Sequence, residues 1–592
     1  MNFSKRLSIL KFISYGFLVF LTLSLFQTQI IRGGYYRRAS ERNRIRLISV
    51  SALRGNILDR NGLLLATNRP AYHVYIIPED FDPQDLPVLS RLLHMPENVI
   101  RESLRVPRYQ TLAPALLKKD VSKEIAFKLE ERKPGLAGVY IQVEGVRSYP
   151  AKDLNGHILG YIGKITKEEY QTRDQDAFSY NSYIGRMGVE KSFDSYLRGE
   201  EGGRQLEVNA RGEQVSVLSE KKPTIGQDLT LSIDLALEKE IVPLLGDKKA
   251  AVALMDITTG EMLALLSQPD FDPNIFIQAD HDEDRIKLLK DKTKPLINRA
   301  TLGAYPPGSV FKLVTALAGL ETGKITRYTT FDCAGFFRLN PHSRRFKCWE
   351  PLGHGRMDLL SALERSCNVY FYNVGRLVGE KDLSRYAKLL GLGEHLPFEV
   401  ASADGLIPSA EWKEKHYAHH WFQGETVSFA IGQGYVLVTP LQILQLVATF
   451  ATEGRVVKPT LIKRNPEEVA HEKHEFIANS ESFRIIKQGM LKVVESKYGT
   501  GQLARIDFMR VAAKTGTAQA PPERAHAWFA GFFPYENPHY ALVVFVEHGG
   551  SGGLAAATVA KNVLAVWRKF YGKDQAFQKP ELPPVKLEDL LA

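Results

Sequence analysis

Cysteine is nearly absent from this chain, with three residues among 592, and the odd count excludes complete pairing into internal disulfides. No segment is long enough or biased enough to be disordered. With 44% apolar and 24% charged residues, that leaves an ordinary folded protein. Neither a basic-aromatic RNA signature nor a zinc-finger spacing ending in paired histidines is present, so nucleic acid is not an expected partner. The net charge of +10, from 77 Lys and Arg against 67 Asp and Glu, then suits an anionic lipid surface or wall polymer, or serves solubility alone. Finally, the stretch Gln27-Thr28-Gln29-Ile30-Ile31-Arg32 lacks the small-x-small pattern of a cleaved signal peptide.

That last absence gives meaning to what precedes it. After Lys5, Arg6 and Lys11 an apolar run from Phe12 to Phe26 thins out toward Ile31, and it reads as one uncleaved membrane-spanning helix over 9–31, behind a tail of 1–8. Arg32, Arg37, Arg38, Arg42, Arg44 and Arg46 follow the span and outnumber the basic residues before it, so charge alone leaves the orientation open.

A chain of this length holds two or three folded units. Arg54 to Leu63 contains Asn61-Gly62 between apolar runs, which predicts a tight hairpin. From Tyr72 to about Pro223, strand-like and helix-like pieces mix with many charges and carry no nucleophile setting, phosphate loop or metal cluster; this reads as a spacer or interaction module, within a first unit over 32–225. Lys221-Lys222-Pro223 punctuates the start of a second unit, 226–572, opening with a strand over Asp228 to Asp234 and a helix from Leu235. Ala250 to Asp256 and Glu261 to Ser267 predict a hairpin. Arg510 to Ala513, Ala527 to Phe532 and Tyr540 to Val546 predict three more strands, and Ala555 to Phe570 a helix. The expected class is α+β, an antiparallel sheet flanked by helices, with a tail over 573–592.

Within that unit, prolines and Gly308 break the chain just before a helical pattern running to Glu321, so Ser309 sits at a helix start. Lys312 follows one turn later, within reach of the Ser309 hydroxyl. Such a lysine activates a hydroxyl only if burial or another cation keeps it partly neutral. Taken alone, S-x-x-K is weak, because Ser8 with Lys11 and Ser219 with Lys222 also match; Ser179-Tyr180-Asn181 likewise repeats the S-x-N pattern of Ser366-Cys367-Asn368. The specific signal is the ordered set in one unit: Ser309 and Lys312, then Ser366 and Asn368, then Lys514-Thr515-Gly516-Thr517, where Gly516 lets substrate approach the backbone.

This set resembles that of β-lactamases and penicillin-binding proteins. Arg54 to Gly62 and Gly185-Arg186-Met187-Gly188-Val189-Glu190 resemble hallmarks of the class B penicillin-binding proteins, which extends the likeness over almost the whole chain. Trp349 to Gly355, Ser428 to Tyr435 and Val546 to Gly553 look like the elongation-type branch, penicillin-binding protein 2, rather than the division-type one.

The resemblance implies a membrane-anchored pedestal and a penicillin-binding transpeptidase domain outside the cytoplasmic membrane, with the N-terminus inside. It implies a peptidoglycan D,D-transpeptidase inhibited by β-lactams, acting on stem peptides that end in D-Ala-D-Ala. Ser309 would be the nucleophile, Lys312 its base and Ser366 a proton relay. Asn368 would hold the substrate amide, while Lys514, Thr515 and Thr517 take the terminal carboxylate. The Ser309 and Thr517 N–H groups would form the oxyanion hole. A glycan polymerase of the SEDS family is the implied partner of the pedestal. A β-lactamase, a β-lactam sensor or a D,D-carboxypeptidase shares the motifs but usually lacks the Arg54 region, and a scaffold for the polymerase would not need the full catalytic set.

The three cysteines, Cys333, Cys348 and Cys367, lie between the first and second motifs with His354 among them. Three thiolates and one imidazole could close a structural zinc site, while a Cys333 to Cys348 disulfide is the competing arrangement. Some elongation-type relatives hold zinc here through carboxylates, a histidine and a cysteine; the resemblance implies that Cys333 and Cys348 replace the carboxylates.

Overall fold

The computed structural model describes residues 3–572 except 36–44, 51, 79, 106–114, 133–135, 173–177, 179–181, 209–213, 278–280, 466–476 and 478. The expected tail 573–592, the repeated pattern at Ser179–Asn181 and Arg37, Arg38, Arg42 and Arg44 lie outside the described residues. Helix α1 (Phe3–Phe26) continues as a π-helical turn, Gln27–Ile31. Its 23-residue segment Ile9–Ile31 has a mean hydropathy of 2.0 and no buried residue. At the α-helical rise that is about 35 Å, enough for a hydrocarbon core of about 30 Å. Ser14 and Thr22 turn their hydroxyls back onto the carbonyls of Leu10 and Leu18, which suits a segment without water around it.

In the pedestal, β1 (Ile45–Val50), β6 (Gly202–Val208) and β7 (Gln214–Lys221) form an antiparallel sheet in the order β1-β6-β7. A second sheet has the order β8-β2-β3-β4, with β5 also on β3. Its members are β2 (Ile57–Leu58), β3 (Leu64–Ile76), β4 (Ala115–Val121), β5 (Val139–Ser148) and β8 (Leu229–Thr230). The expected hairpin joins β2 to β3: Asp59 Oδ1 accepts from the N–H groups of Asn61 and Leu63 and so closes the turn. The strand expected over Asp228 to Asp234 shrinks to β8, which runs parallel to β2. Asp234 is occupied instead as the N-cap of α2 (Leu235–Leu245), accepting from Ala236 and Leu237.

The two pedestal stretches noted in the sequence meet in one buried ion cluster. Glu190, with no exposed surface, receives Arg54 Nε at 3.0 Å and Arg147 Nε at 2.6 Å, and Arg54 also reaches Asp194 at 2.8 Å. A buried carboxylate is tolerable only when paired in this way, and removing either arginine would leave it with one guanidinium where it now has two.

The second unit is built on one antiparallel sheet in the order β10-β9-β13-β12-β11. Its strands are β9 (Ala250–Asp256), β10 (Met262–Gln268), β11 (Ala512–Ala520), β12 (Glu523–Phe533) and β13 (Tyr540–Val546). Every residue of β13 is buried, so both faces of the sheet centre are covered. Helix α6 (Pro440–Ala451) packs on β9, β12 and β13. Helices α2 and α8 (Ala557–Tyr571) pack on each other and on the sheet. Between these layers and the cleft stand α3 (Lys312–Glu321), α4 (Leu359–Glu364), α5 (Asn368–Val378) and α7 (Ser480–Glu495).

Candidate active site

Strand β11 is the sheet's edge, paired on one side only by β12, and its free side carries the site. The sequence places Lys514 at a strand end, yet β11 runs on through Ala520. Lys514-Thr515-Gly516-Thr517 is held in the ladder by Ala530 to Ala527, so backbone pairing overrides the loss of apolar pattern.

A one-turn 3₁₀ segment, Gly308–Phe311, precedes α3 and sets Ser309 against this edge. Gly308 has φ +54°, and a Cβ there would stand 2.9 Å from Thr517 O, so only glycine permits the turn at that distance. From the other side Gly432, in the Ser428 to Tyr435 stretch, accepts the Gly308 N–H through its carbonyl at 3.0 Å. Trp528 Nε1 donates to Pro306 O at 3.0 Å. The Ser309 turn is thus clamped between strand and loop. Gly516 serves the same contact, because a Cβ there would meet Pro307 O at 2.8 Å and Val310 Cγ2 at 3.0 Å. The close approach it allows in this structure is that of the Ser309 turn.

The three motifs converge on Ser366. Lys312 Nζ donates to Ser366 O at 2.7 Å, to Ser366 Oγ at 3.2 Å and to Asn368 Oδ1 at 2.7 Å. Lys514 Nζ donates to Ser366 Oγ at 2.9 Å and to Thr515 O at 3.0 Å. Ser366 itself has φ +51°, a left-handed conformation that costs a non-glycine residue about 1 kcal/mol or more. Its carbonyl is held by Lys312 and also by Trp349 Nε1 at 3.1 Å. Trp349 is a residue to which the sequence assigned no role of its own, although it opens the family-like stretch Trp349 to Gly355.

Both lysines are fully buried. Burial pushes the Lys312 ammonium down to about 8, against the opposing pull of Cys367, Cys348 and Cys333. Burial, with Lys312 beside it, holds Lys514 well below the usual lysine range. A neutral Lys312 has two N–H bonds for three oxygen neighbours, so with Ser366 O and Asn368 Oδ1 taking both, its lone pair is left on the side where Ser366 Oγ lies. Of the two threonines, Thr517 is exposed and accepts the Gly552 N–H at 3.1 Å, while Thr515 is buried with its Oγ1 2.7 Å from Thr500 Oγ1.

One wall of the site is the cysteine cluster. Cys333 and Gly355 pair across the short strands Phe331–Cys333 and Gly355–Met357, Cys367 stands at the residue just before α5, and Cys348 lies in the loop beside Trp349. All three cysteines are free and buried. With His354 their ligand atoms lie within 4.8 Å of one another, and His354 Nδ1 stands 3.6 Å from Cys333 Sγ and 3.5 Å from Cys348 Sγ.

Comparison with known proteins gives two family matches, the penicillin-binding protein transpeptidase domain over residues 250–565 and the penicillin-binding protein dimerisation domain over 49–231. The chain is 34% identical to the peptidoglycan D,D-transpeptidase MrdA of Acinetobacter baumannii, over 91% of this chain and 84% of that protein. Its fold matches that of penicillin-binding protein 2 (PBP2) from Helicobacter pylori, solved in complex with MreC. That match has a TM-score of 0.80 at 29% identity and covers 89% of this chain and all of that one. A second similar structure is described as showing how a peptidoglycan synthase complex coordinates polymerization and crosslinking. There the TM-score is 0.71 at 32% identity, with 96% of this chain and 99% of that chain covered.

Proposed function

This chain belongs to the penicillin-binding protein family, among its peptidoglycan D,D-transpeptidases, and on that premise we propose that Ser309 carries the acyl group from one stem peptide to the next. The observation that carries the assignment is the meeting of three sequence-distant motifs at one hydroxyl, Ser366 Oγ, within hydrogen-bond reach of both Lys312 and Lys514.

Neutral Lys312 takes the Ser309 proton as Ser309 Oγ attacks the penultimate D-alanine carbonyl. The Ser309 and Thr517 N–H groups receive the developing oxyanion, each such donor being worth about 3 to 4 kcal/mol. Collapse breaks the peptide bond. The proton on Lys312 then passes through Ser366 to the departing D-alanine amine, which leaves an ester on Ser309 and Lys312 neutral again. An amine from a second stem peptide attacks the ester, loses its proton along the same route, and restores the Ser309 hydroxyl. Asn368 holds the substrate amide, and Lys514 with Thr515 and Thr517 holds the terminal carboxylate. A β-lactam carboxylate and ring fit the same places and stop at the ester. Labelling with a fluorescent penicillin and mass mapping of the adduct tests this, since an adduct on any residue but Ser309 overturns it.

The apolar N-terminal helix supports a single-pass anchor. We place the N-terminus in the cytoplasm and both folded units outside the membrane, where the wall substrate lies. A SEDS-family polymerase is the expected membrane partner of the pedestal, in keeping with the similar chain that belongs to a peptidoglycan synthase complex.

Zinc is the metal we propose for Cys333, Cys348, His354 and Cys367. With Zn–S near 2.3 Å and Zn–N near 2.0 Å, a tetrahedron puts sulfur and nitrogen about 3.5 Å apart. The two observed S···N distances, 3.6 and 3.5 Å, match that spacing. A closed site of this kind supplies folding energy, not chemistry, and its ligand Cys367 stands between Ser366 and Asn368. Metal analysis decides between zinc and the Cys333 to Cys348 disulfide.

A further inference from the structure

A carboxylate accepts hydrogen bonds and donates none, so a hydroxyl that binds it must have its own proton free and turned outward. In this site the protein arranges that from behind. Thr517 Oγ1 accepts the Gly552 N–H at 3.1 Å, which fills one lone-pair direction and leaves the Thr517 proton to a ligand. Among the described residues no backbone N–H of this kind reaches Thr515 Oγ1, but Thr500 Oγ1 stands 2.7 Å from it. Either oxygen can be the donor of that pair. If Thr515 donates, its proton is spent inside the protein; if Thr500 donates, Thr515 matches Thr517, oxygen filled and proton free.

Thr500 is built into place. Its N–H donates to Glu364 O at 3.3 Å, and Ser496 in the same loop donates to the Glu364 carboxylate. Gly501 N–H donates to Val493 O at 2.8 Å, which ties the loop's other side to the end of α7. The Gly552-Gly553 turn packs on Thr500 and on β11: a Cβ on Gly553 would stand 2.5 Å from Thr500 O, and one on Gly552 would stand 2.2 Å from Gly516 O. One assembly therefore backs both threonine hydroxyls of β11.

We propose that Thr500, outside all three motifs, is a positioning residue of the carboxylate subsite: its hydroxyl donates to Thr515 Oγ1 and turns the Thr515 proton toward the terminal carboxylate of the stem peptide. The inference rests on the reading that Lys514, Thr515 and Thr517 take that carboxylate. Thr500 touches no reacting atom, so its removal weakens capture of the acid rather than the acyl transfer that follows.

The test uses the full-length protein in detergent, with acylation by a penicillin and by the methyl ester of the same penicillin followed by stopped flow. Thr500→Val keeps the shape and removes the hydroxyl. It raises the half-saturating concentration for the acid about tenfold, because the Thr515 hydrogen bond to the charged carboxylate loses the partner that orients it, and leaves the limiting acylation rate within about twofold. The ester, which has no anion to capture, responds less than twofold, and Thr500→Ser restores acid binding to within about threefold of the parent. Equal losses for acid and ester, or an unchanged half-saturating concentration for the acid, overturn the proposal. Thr517→Val is the control on the reading beneath it: if the acid-to-ester ratio shifts there but not in Thr500→Val, Thr500 has no such role and the carboxylate subsite stands. If neither variant shifts it, the subsite assignment itself fails.

Discussion

The pH dependence of acylation follows from the burial of Lys312. Its ammonium falls from 10.5 to about 8 because no water reaches it, a change equivalent to about 3 kcal/mol. At pH 7 roughly one molecule in eleven then carries neutral Lys312, against about one in three thousand for an exposed lysine. Burial alone therefore raises the working base about 300-fold. The sign is fixed by which form acts: the neutral amine takes the Ser309 proton, so rate rises with pH and levels off above about 8. Acylation by a β-lactam with no group titrating between pH 6 and 9 should climb about ninefold from pH 6 to 7 and about fivefold from 7 to 8. From pH 8 to 9 it should climb less than twofold. Stopped-flow measurement of the second-order constant at constant ionic strength reads this directly. A flat profile, or one still rising tenfold per unit at pH 10, would refute the neutral-lysine mechanism. The same shift acts on stability: the unfolded chain binds the proton more tightly, so the cost of burying the ammonium is present in full below about pH 8 and fades toward pH 10.5.

Glu238 gives a second pH test. Burial raises its carboxyl to about 8, against the opposing hydrogen bond from the Leu265 N–H to Oε1. Its ionisation penalty is absent near pH 4.5 and grows as pH rises to 8, so Glu238→Gln should leave the melting temperature near that of the parent at pH 5 and raise it at pH 8. An equal change at both pH values contradicts the shift. Gly516→Ala puts a methyl 2.8 Å from Pro307 O, so acylation should fall at least tenfold while the pedestal remains folded; parental acylation kinetics would show that the Ser309 turn can yield. Ser366→Ala should slow acylation by about a hundredfold or more, because the proton route is cut, and a loss under threefold would remove Ser366 from the relay. Zinc should be near stoichiometric, and chelation should lower both melting temperature and acylation rate. A metal-free, fully active protein with Cys333 and Cys348 disulfide-linked by mass spectrometry would exclude the site.

Much of the site is legible along the chain because its parts are local. Ser309 and Lys312 are one helical turn apart. The breakers ahead of them place the turn, and Thr515 and Thr517 alternate along one strand. The anchor and the sheet strands are equally local, since apolar runs record which residues avoid water whatever their partners are. What depends on partners far away in sequence is not written there. Gly516 needs its missing side chain because of Pro307, and β8 joins the pedestal sheet because of β2. Trp349 and Thr500 meet the site only where the cysteine-bearing loop and the end of α7 come up to the cleft. The pKa of Lys312 belongs to the same class: the sequence supplies an amine of ordinary basicity, and only the packing of α3, α5 and β11 removes the water that would keep it charged.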